Sequence, residues 1–205
     1  MVIRTIFFDF DGVLTTDKNG SRTICRNLAE KSGIPFEKLY QCFRPFIPDL
    51  IHGRKTQRDI WQQFVSCAGK PIDVGLLDYA FRHVPFDAAM MELAHELKQQ
   101  HTLGIITDNS YARFSAITDA LCLDSLFHPI IVSGTVGSTK KDKKIFEIAL
   151  REAKARAHEC VFIDNIADNL VVPKEMGFHT IFFDDEMRDI NALRGELSAL
   201  IKHKE

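Results

Sequence analysis

The chain has 205 residues, of which 45% are hydrophobic and 26% charged, a composition typical of a soluble globular protein with one domain or one domain plus a small accessory unit. Its net charge of −2 gives no support for a broad surface that binds nucleic acid or an anionic membrane. No apolar run approaches the roughly 20 residues of a membrane span, and the N-terminus carries no basic-then-apolar signal pattern, so we expect a cytoplasmic protein without nucleic-acid or membrane partners.

The first predicted element is a short apolar strand that ends in two carboxylates. Asp9 and Asp11 directly follow the apolar run 5–8, and Gly12 marks a turn. Residues i and i+2 of a strand share a face, so two like charges start close together and repel unless a cation relieves them. One interpretation is a divalent metal site, because Mg²⁺ prefers oxygen ligands; the alternative is a strand followed by an ordinary acidic turn.

The long stretch after this strand lacks strand-like runs and carries apolar residues at helical spacing. The helical segments are 27–31, 37–43, 58–67 and 74–83. We therefore predict an all-helical insertion, residues 16–85, placed after the first strand. Phe43, Trp61 and Phe64 are expected to form its core rather than a ligand site.

Beyond the insertion, short apolar runs alternate with segments of helical period. The strand-like runs are 103–106, 129–132, 161–163 and 180–183, and the helical segments are 90–100, 112–121, 144–154 and 168–176. This alternation predicts an α/β fold, a Rossmann-like parallel sheet with helices on both faces, formed by residues 1–15 and 86–205.

Polar side chains follow the predicted strands at the points where those strands end. In open parallel sheets, ligands bind outside the carboxyl ends of the strands. The residues found there, in addition to Asp9 and Asp11, are Thr107, Asp108, Asn109, Lys140, Asp164 and Asn165. We expect these acids, a hydroxyl and a lysine to converge at one edge of the sheet.

The five cysteines are odd in number, widely spaced and without a CxxC pair, so neither a zinc site nor a thioredoxin-like site is supported. They are Cys25, Cys42, Cys67, Cys122 and Cys160. Several lie in apolar surroundings, where a free cysteine packs as a small hydrophobic residue.

With these residues in view, the chain resembles the haloacid dehalogenase superfamily of phosphohydrolases along nearly its whole length. Four stretches are similar to that family's motifs, in the family's order: 9–13, 105–109, the lysine stretch 140–146, and the acidic stretch 162–169. The helical insertion matches the position of the family's first type of cap. The resemblance implies a Rossmann-like core with a helical cap and the hydrolysis of a small phosphorylated metabolite, similar to a sugar phosphate.

The resemblance also implies a role for each catalytic residue. Asp9 is expected to attack phosphorus and form an aspartyl-phosphate, and Asp11 to protonate the leaving oxygen and later activate water. Lys140 is expected to place a positive charge on the phosphoryl group. The residues expected to bind the substrate come from the second and the lysine motifs: Thr107, Asp108, Asn109 and Lys140.

The same resemblance implies a Mg²⁺ site. Its expected ligands are Asp9, the main-chain carbonyl of Asp11, and the acidic motif at Asp164 and Asn165. Asn165 stands where a second acid is frequent in the family. Two alternatives stay open: Asp164 alone holds the metal, or Asn165 adds a neutral oxygen.

Two further departures from the family pattern concern the phosphate end of the site. Asp108 stands where a neutral residue is frequent, so it either turns away from phosphate or pairs with Lys140 or Lys141. The lysine stretch lacks both of the prolines that are usual in the family. If the alignment with the family motif shifts by one residue, Lys141 takes the place of Lys140. The alternative to a phosphate-binding role for Thr107 is a structural role, in which it caps the N-terminus of the following helix.

Alternatives also stay open for the function. A phosphomutase needs the same residues but must keep water from the aspartyl-phosphate, and a catalytically weakened binding protein is suggested by Asn165 and Asp108. Dehalogenation is disfavoured, because that chemistry has no leaving alkoxide for Asp11 to protonate. Three basic residues of the insertion are expected on its solvated surface rather than facing the substrate: Arg44, His52 and Arg54. Asp168 is either an exposed acid at a helix start or a residue that supports the site, and the oligomeric state is open between monomer and homodimer.

Overall fold

A parallel β-sheet forms the centre of the protein. The structure, a computed structural model, describes residues 2–202. The strands are β1 (Thr5–Phe8), β2 (Thr102–Thr107), β3 (Ile130–Val132), β4 (Cys160–Asp164) and β5 (His179–Phe182), and they lie in the order β3-β2-β1-β4-β5. All paired strands run parallel. The predicted α/β fold is therefore confirmed, and each strand-like run of the sequence falls on an observed strand.

Along the chain, a group of helices follows β1 and precedes β2, and these helices pack together. These helices are α1 (Gly20–Ser32), α2 (Phe36–Phe43), α3 (Ile47–Ile51), α4 (Gln57–Ala68) and α5 (Leu76–Arg82). Their apolar faces form a hydrophobic cluster of their own, in which Phe43 and Phe64 are buried and Trp61 packs at the edge. The helical cap after the first strand is thus present, with the predicted core residues inside it.

Helix α4 shows how local sequence sets the limits of a cap helix. The Thr56 hydroxyl accepts a hydrogen bond from the Asp59 N–H, while the Asp59 carboxylate accepts one from the Thr56 N–H. These reciprocal bonds satisfy two amide groups that the first turn of a helix leaves unpaired. The helix ends at Gly69, whose positive φ of 78° suits glycine.

The remaining helices cover both faces of the sheet. They are α6 (Ala88–Leu97), α7 (Tyr111–Leu121), α8 (Leu123–Leu126), α9 (Ser133–Val136), α10 (Lys143–Ala153), α11 (Val171–Glu175) and α12 (Ile190–Lys202). Alternation along β1 divides the core, since Ile6 and Phe8 pack towards α6, α7 and α12, whereas Phe7 packs towards α10. None of the helices within residues 2–202 combines the length and the apolar character that crossing a bilayer requires.

The chain passes between the sheet and the helical cap at two adjacent crossings. Thr15 and Phe86 form an antiparallel bridge, and the Asp87 N–H donates to the Leu14 carbonyl at 3.0 Å. This paired crossing lies beside the limits expected for the insertion, 16–85, although the boundary stays a prediction.

The features that were not predicted from the sequence include the helices α3, α8, α9 and α12 and a disulfide between Cys42 and Cys67. The two cysteines are 25 residues apart on α2 and α4, and they meet because those helices pack against each other. Cys25 and Cys160 are free and buried, as expected of small hydrophobic residues, whereas Cys122 is free and exposed. Helix packing, which sequence periodicity does not report, decided which cysteines pair.

Candidate active site

The turn after β1 sends its two carboxylates to different partners. Asp9 Oδ1 accepts a hydrogen bond from the Phe10 N–H at 2.7 Å. Gly12 has a φ of 89°, in the left-handed region that favours glycine, and a Cβ at this position would overlap the Asn165 side chain. This tight turn allows Asp9 and Asp11, both buried, to enter two separate polar clusters.

The first cluster has Lys140 between two carboxylates. The Lys140 Nζ lies 2.9 Å from Asp9 Oδ1 and 2.7 Å from Asp164 Oδ2, and its side chain is only 2% exposed. Asp164, at the end of β4, also accepts a hydrogen bond from Asn169 Nδ2 at 3.2 Å. Lys141, in contrast, is 54% exposed, so Lys140 is the lysine that the structure brings to the carboxylates.

Burial dominates the electrostatics of this cluster. Desolvation raises the pKa of Asp9 to about 8; the Lys140 ammonium opposes that rise, and the Asp164 carboxylate adds to it. Desolvation on its own lowers the pKa of Lys140, but the surrounding carboxylates outweigh it and hold the pKa above its ordinary 10.5. Two carboxyl groups therefore compete for one ammonium, and the raised Asp9 pKa means that the ionised form of Asp9 is disfavoured in this cluster without a further cation.

The second cluster is a buried ion pair between Asp11 and Arg113. Arg113 Nη1 lies 2.8 Å from Asp11 Oδ2, and Nη2 lies 2.8 Å from Asp11 Oδ1. Asn109 joins the pair, since its Nδ2 donates to Asp11 Oδ2 at 2.8 Å and its Oδ1 accepts from Arg113 Nη1 at 2.8 Å. Gly20, the first residue of α1, lies against the guanidinium so closely that a Cβ there would overlap it.

Sequence reasoning missed Arg113. The residue lies on α7 between Ala112 and Phe114, and its side chain is 1% exposed. The available signal was its spacing: Arg113 comes four residues after Asn109, which is about one helical turn. A charged residue within an apolar helix face needs a partner, because an unpaired buried charge is costly.

Thr107 and Asp108 end β2 beside these clusters. The Thr107 side chain is buried and its Oγ1 accepts a hydrogen bond from Asn109 Nδ2 at 3.2 Å. Asp108 Oδ1 accepts from the Lys140 main-chain N–H at 3.1 Å, and burial raises the Asp108 pKa although the Lys140 charge opposes it. Ser110 is the N-cap of α7, so the capping alternative for Thr107 is wrong.

The acidic motif contributes Asp164 and Asn165 in different ways. Asp164 lies within the lysine cluster, whereas Asn165 Nδ2 donates to Asp185 Oδ2 at 3.0 Å. Asn165 Oδ1 is buried and has no hydrogen-bond partner among residues 2–202. Asp168 is 86% exposed and lies 3.8 Å from Lys141, outside the cluster.

A cavity of about 200 Å³ lies between this edge of the sheet and the helical cap. Most of the predicted site residues line it: Asp9, Asp11, Thr107, Asp108, Asn109 and Lys140. The cap closes directly on the core beside the cavity, where Gly53 faces the Gly134 carbonyl so closely that a Cβ at Gly53 would overlap it. The basic residues Arg44, His52 and Arg54 are outside the lining.

The oxygen atoms of this site fit a hard cation. Asp9 and Asp164 supply carboxyl oxygens that share a single ammonium, and Asn165 supplies a buried amide oxygen without a partner in the described chain. Within residues 2–202, no three acidic, histidine or cysteine side chains form a complete metal cage. Mg²⁺ does not need such a cage, because it binds through one or two carboxylates and keeps several waters.

Comparison with known proteins shows that the chain is similar to a family of hydrolases. A family model described as haloacid dehalogenase-like hydrolase matches residues 3–177. The rat bifunctional epoxide hydrolase 2 is 25% identical over 95% of this chain, which spans only 39% of that relative's length. The glyceraldehyde 3-phosphate phosphatase of Methanothermobacter thermautotrophicus is 21% identical over 92% of this chain and 88% of its own.

The fold is shared with a solved structure from Bacteroides thetaiotaomicron. This structure is of a HAD family enzyme, a mutant with one aspartate replaced by alanine, in complex with magnesium and inorganic phosphate. It has a TM-score of 0.75 and 18% identity, over 93% of this chain and 98% of that one. At this identity the likeness shows the fold.

Proposed function

Because this chain belongs to the haloacid dehalogenase-like hydrolase family, we propose that it is a magnesium-dependent phosphatase that hydrolyses a small phosphorylated metabolite through an aspartyl-phosphate. The observation that carries the proposal is the buried cluster in which Lys140 lies 2.9 Å from Asp9 and 2.7 Å from Asp164, beside the cavity between the sheet and the cap. The phosphatase among the relatives, and the magnesium and phosphate in the solved structure, support the choice of reaction.

In the first half of the reaction, an Asp9 carboxylate oxygen bonds to phosphorus while the bond from phosphorus to the ester oxygen breaks. The Lys140 ammonium offsets the negative charge that gathers between the phosphoryl group and Asp9. Thr107 Oγ1 accepts from Asn109, which leaves its own O–H free to donate to a phosphoryl oxygen. Asp11 supplies the proton that the leaving oxygen takes, a step that requires the protonated form of Asp11, released from its ion pair with Arg113.

In the second half, water attacks phosphorus and the bond from phosphorus to the Asp9 oxygen breaks. Asp11 accepts the proton of that water, so inorganic phosphate leaves and both aspartates return to their starting state. Arg113 and Asn109 hold both Asp11 oxygens in the present state, so the Asp11 side chain must leave this pair for the proton transfer. The closed cap limits the water that reaches the intermediate.

Residues of two segments, the turn after β1 and the end of β4, are assigned to hold Mg²⁺. These are Asp9 and Asp164 through their carboxylates, Asp11 through its main-chain carbonyl, and Asn165 through its unpartnered amide oxygen. When bound, the ion supplies positive charge that stabilises the transferring phosphoryl group. A cation there would favour the ionised form of Asp9, whose pKa is raised by burial and by the Asp164 carboxylate.

We also assign residues 16–85 as the cap and residues 1–15 and 86–205 as the catalytic core. The bridge between Thr15 and Phe86 supports this division, since it joins the two places where the chain passes from one part to the other. A cytoplasmic location and independence from nucleic acid and membranes stay predictions.

The test uses the purified full chain with an aryl phosphate and a panel of small phosphate monoesters, in Mg²⁺ and in EDTA. We expect turnover that requires Mg²⁺ and that falls at least about 1000-fold in Asp9→Asn, because the nucleophile is lost. Asp168→Asn is the matched control, as its carboxylate is exposed, and it should keep near wild-type turnover. Turnover that survives Asp9→Asn or ignores EDTA contradicts the mechanism.

Two further outcomes of this assay identify the alternatives. An isomerised phosphate ester in place of free phosphate indicates a phosphomutase. No turnover with any ester, from protein that is folded and binds Mg²⁺, indicates a binding protein.

A further inference from the structure

The two ends of the cavity differ in chemistry. The sheet end carries the carboxylates and Lys140, which the proposed function assigns to the phosphoryl group. The cap end is a hydrocarbon wall of Ile24, Phe43, Ile47, Leu50 and Ile51, contributed by α1, α2 and α3. A leaving group bound at the cap end therefore lies mainly against aliphatic and aromatic carbon.

The polar side chains of the cap that reach the cavity are partly engaged already. Asn19 Oδ1 accepts from the N–H groups of Ser21 and Arg22, which caps α1. Gln57 Nε2 donates to Ser110 Oγ, and Gln57 Oε1 is buried without a partner within the described chain. The Gln57 oxygen is thus placed to accept one hydrogen bond from a leaving group, whereas Ser21 is the remaining hydroxyl on this wall.

Positive charge at the cap end is also committed. Across residues 2–202, Lys18 is the one basic residue of the cap that lines the cavity, and its Nζ lies 2.9 Å from both Asp185 Oδ1 and Glu186 Oε1. Arg54 and Lys55 pair with Asp49 away from the cavity. A second phosphate or a carboxylate on the substrate would meet no unpaired Lys or Arg among the described residues of the cap that line the cavity.

We propose that the substrate is the phosphate monoester of a small, uncharged and largely apolar alcohol, rather than of a sugar or of a hydroxy acid. The inference rests on the proposed function only for placing the phosphoryl group at the Lys140 end. Each hydroxyl of a sugar buried against this wall loses its hydrogen bonds to water, while within residues 2–202 the wall offers in return only the Gln57 oxygen, the Ser21 hydroxyl and the Asn19 amide nitrogen. Each added methylene, in contrast, gains from burial.

The test compares esters of equal carbon number, which are butyl phosphate, erythritol 4-phosphate and the carboxylated ester 4-phosphooxybutanoate, with ethyl phosphate as the short reference. With the full chain and Mg²⁺, we expect kcat/KM to rise roughly fourfold per methylene from ethyl to butyl phosphate. Butyl phosphate should exceed erythritol 4-phosphate and the carboxylated ester by at least about tenfold.

A pair of variants assigns the preference to the cavity wall. Ile47 and Val65 are both half-buried against the same cap cluster, but Ile47 lines the cavity and Val65 does not. Ile47→Asn should reduce the ratio of butyl to erythritol ester by at least about fivefold, whereas Val65→Asn should leave it within about twofold. A ratio unchanged in Ile47→Asn overturns the proposal.

Binding to Asp9→Asn, measured by calorimetry with the same esters, keeps this inference separate from the proposed function. Absence of turnover with every ester overturns the phosphatase, but the order of affinities still decides the substrate class. If erythritol 4-phosphate binds as tightly as butyl phosphate or more tightly, the proposal of an apolar leaving group is overturned, even if the protein is a phosphatase.

Discussion

Arg113 holds the Asp11 carboxylate with both of its terminal nitrogens, each 2.8 Å from a different oxygen. The two residues come from α7 and from the turn after β1, and both side chains are almost completely buried. A bidentate pair of this kind fixes the direction of the carboxylate as well as its position. The orientation of Asp11 in the site therefore depends on a residue outside the turn that carries it.

A double-mutant cycle on this pair should show strong coupling. Arg113→Met leaves the Asp11 charge without its cation and should lower the free energy of unfolding by about 3–5 kcal/mol. Arg113→Lys should lose less, because an ammonium keeps the charge but not the two-pronged contact. The double variant with Asp11→Asn should lose less than the sum of the single variants, as measured by urea denaturation. Additive losses would show that the pair does not act as a unit.

Magnesium should stabilise the folded protein through Asp164. A ligand that binds only the folded state adds stability by mass action, about 2.7 kcal/mol at 100 times its Kd. We expect Mg²⁺ to raise the melting temperature of the wild type, and the increment to be largely lost in Asp164→Asn. Asp168→Asn is the control, since its carboxylate is exposed and should leave the increment intact. An equal Mg²⁺ increment in Asp164→Asn would exclude Asp164 as a ligand.

The ion pair between Asp87 and Arg188 should make stability depend on pH. Arg188 Nε lies 2.7 Å from Asp87 Oδ2, and its terminal nitrogens donate to the carbonyls of Gly12 and Val13 in the turn that carries Asp11. Burial acts to raise the Asp87 pKa, but hydrogen bonds from the main chain and from Arg188 outweigh it and hold the pKa below its ordinary 3.8.

Ionised Asp87 consequently favours the folded state. Its contribution is fully present above the ordinary pKa of 3.8 and disappears as the pH falls through the lower folded value. At pH 7, Asp87→Asn should be less stable than the wild type by about 1–3 kcal/mol, and the difference should shrink below pH 4. Asp78→Asn, which alters an exposed pair with Arg82, should change stability little at either pH. A constant difference from pH 7 to pH 3 would contradict the linkage.

Thiol titration should distinguish the cysteines. Burial raises the pKa of the Cys25 and Cys160 thiols to about 12, so little thiolate forms at pH 8 and native protein should react with DTNB mainly at the exposed Cys122. Denatured, unreduced protein should show three thiols and reduced protein five, because Cys42 and Cys67 are joined. Closing this 25-residue loop should contribute about 3 kcal/mol, measured as the stability lost on reduction. Five thiols before reduction would show that the bond is absent.

Much of the fold could be predicted from the sequence because its signals are local. The apolar runs, the helical spacing and the turn at Gly12 depend on neighbouring residues, and the parallel sheet follows from their alternation. The meeting of Asp9, Thr107 and Lys140 could also be expected, since the carboxyl ends of parallel strands share one edge.

The contacts of the site depended on distances between elements that periodicity does not contain. Packing of α7 against the turn after β1 brought Arg113 to Asp11, and packing of α2 on α4 joined Cys42 to Cys67. Side-chain direction likewise placed Lys140, rather than Lys141, beside Asp9. These choices are made by burial and by pairing of charges across the fold, which no short stretch of sequence can report. Asp9 and Asp11 are close in sequence and share a turn, yet the tertiary structure gives them different cationic partners.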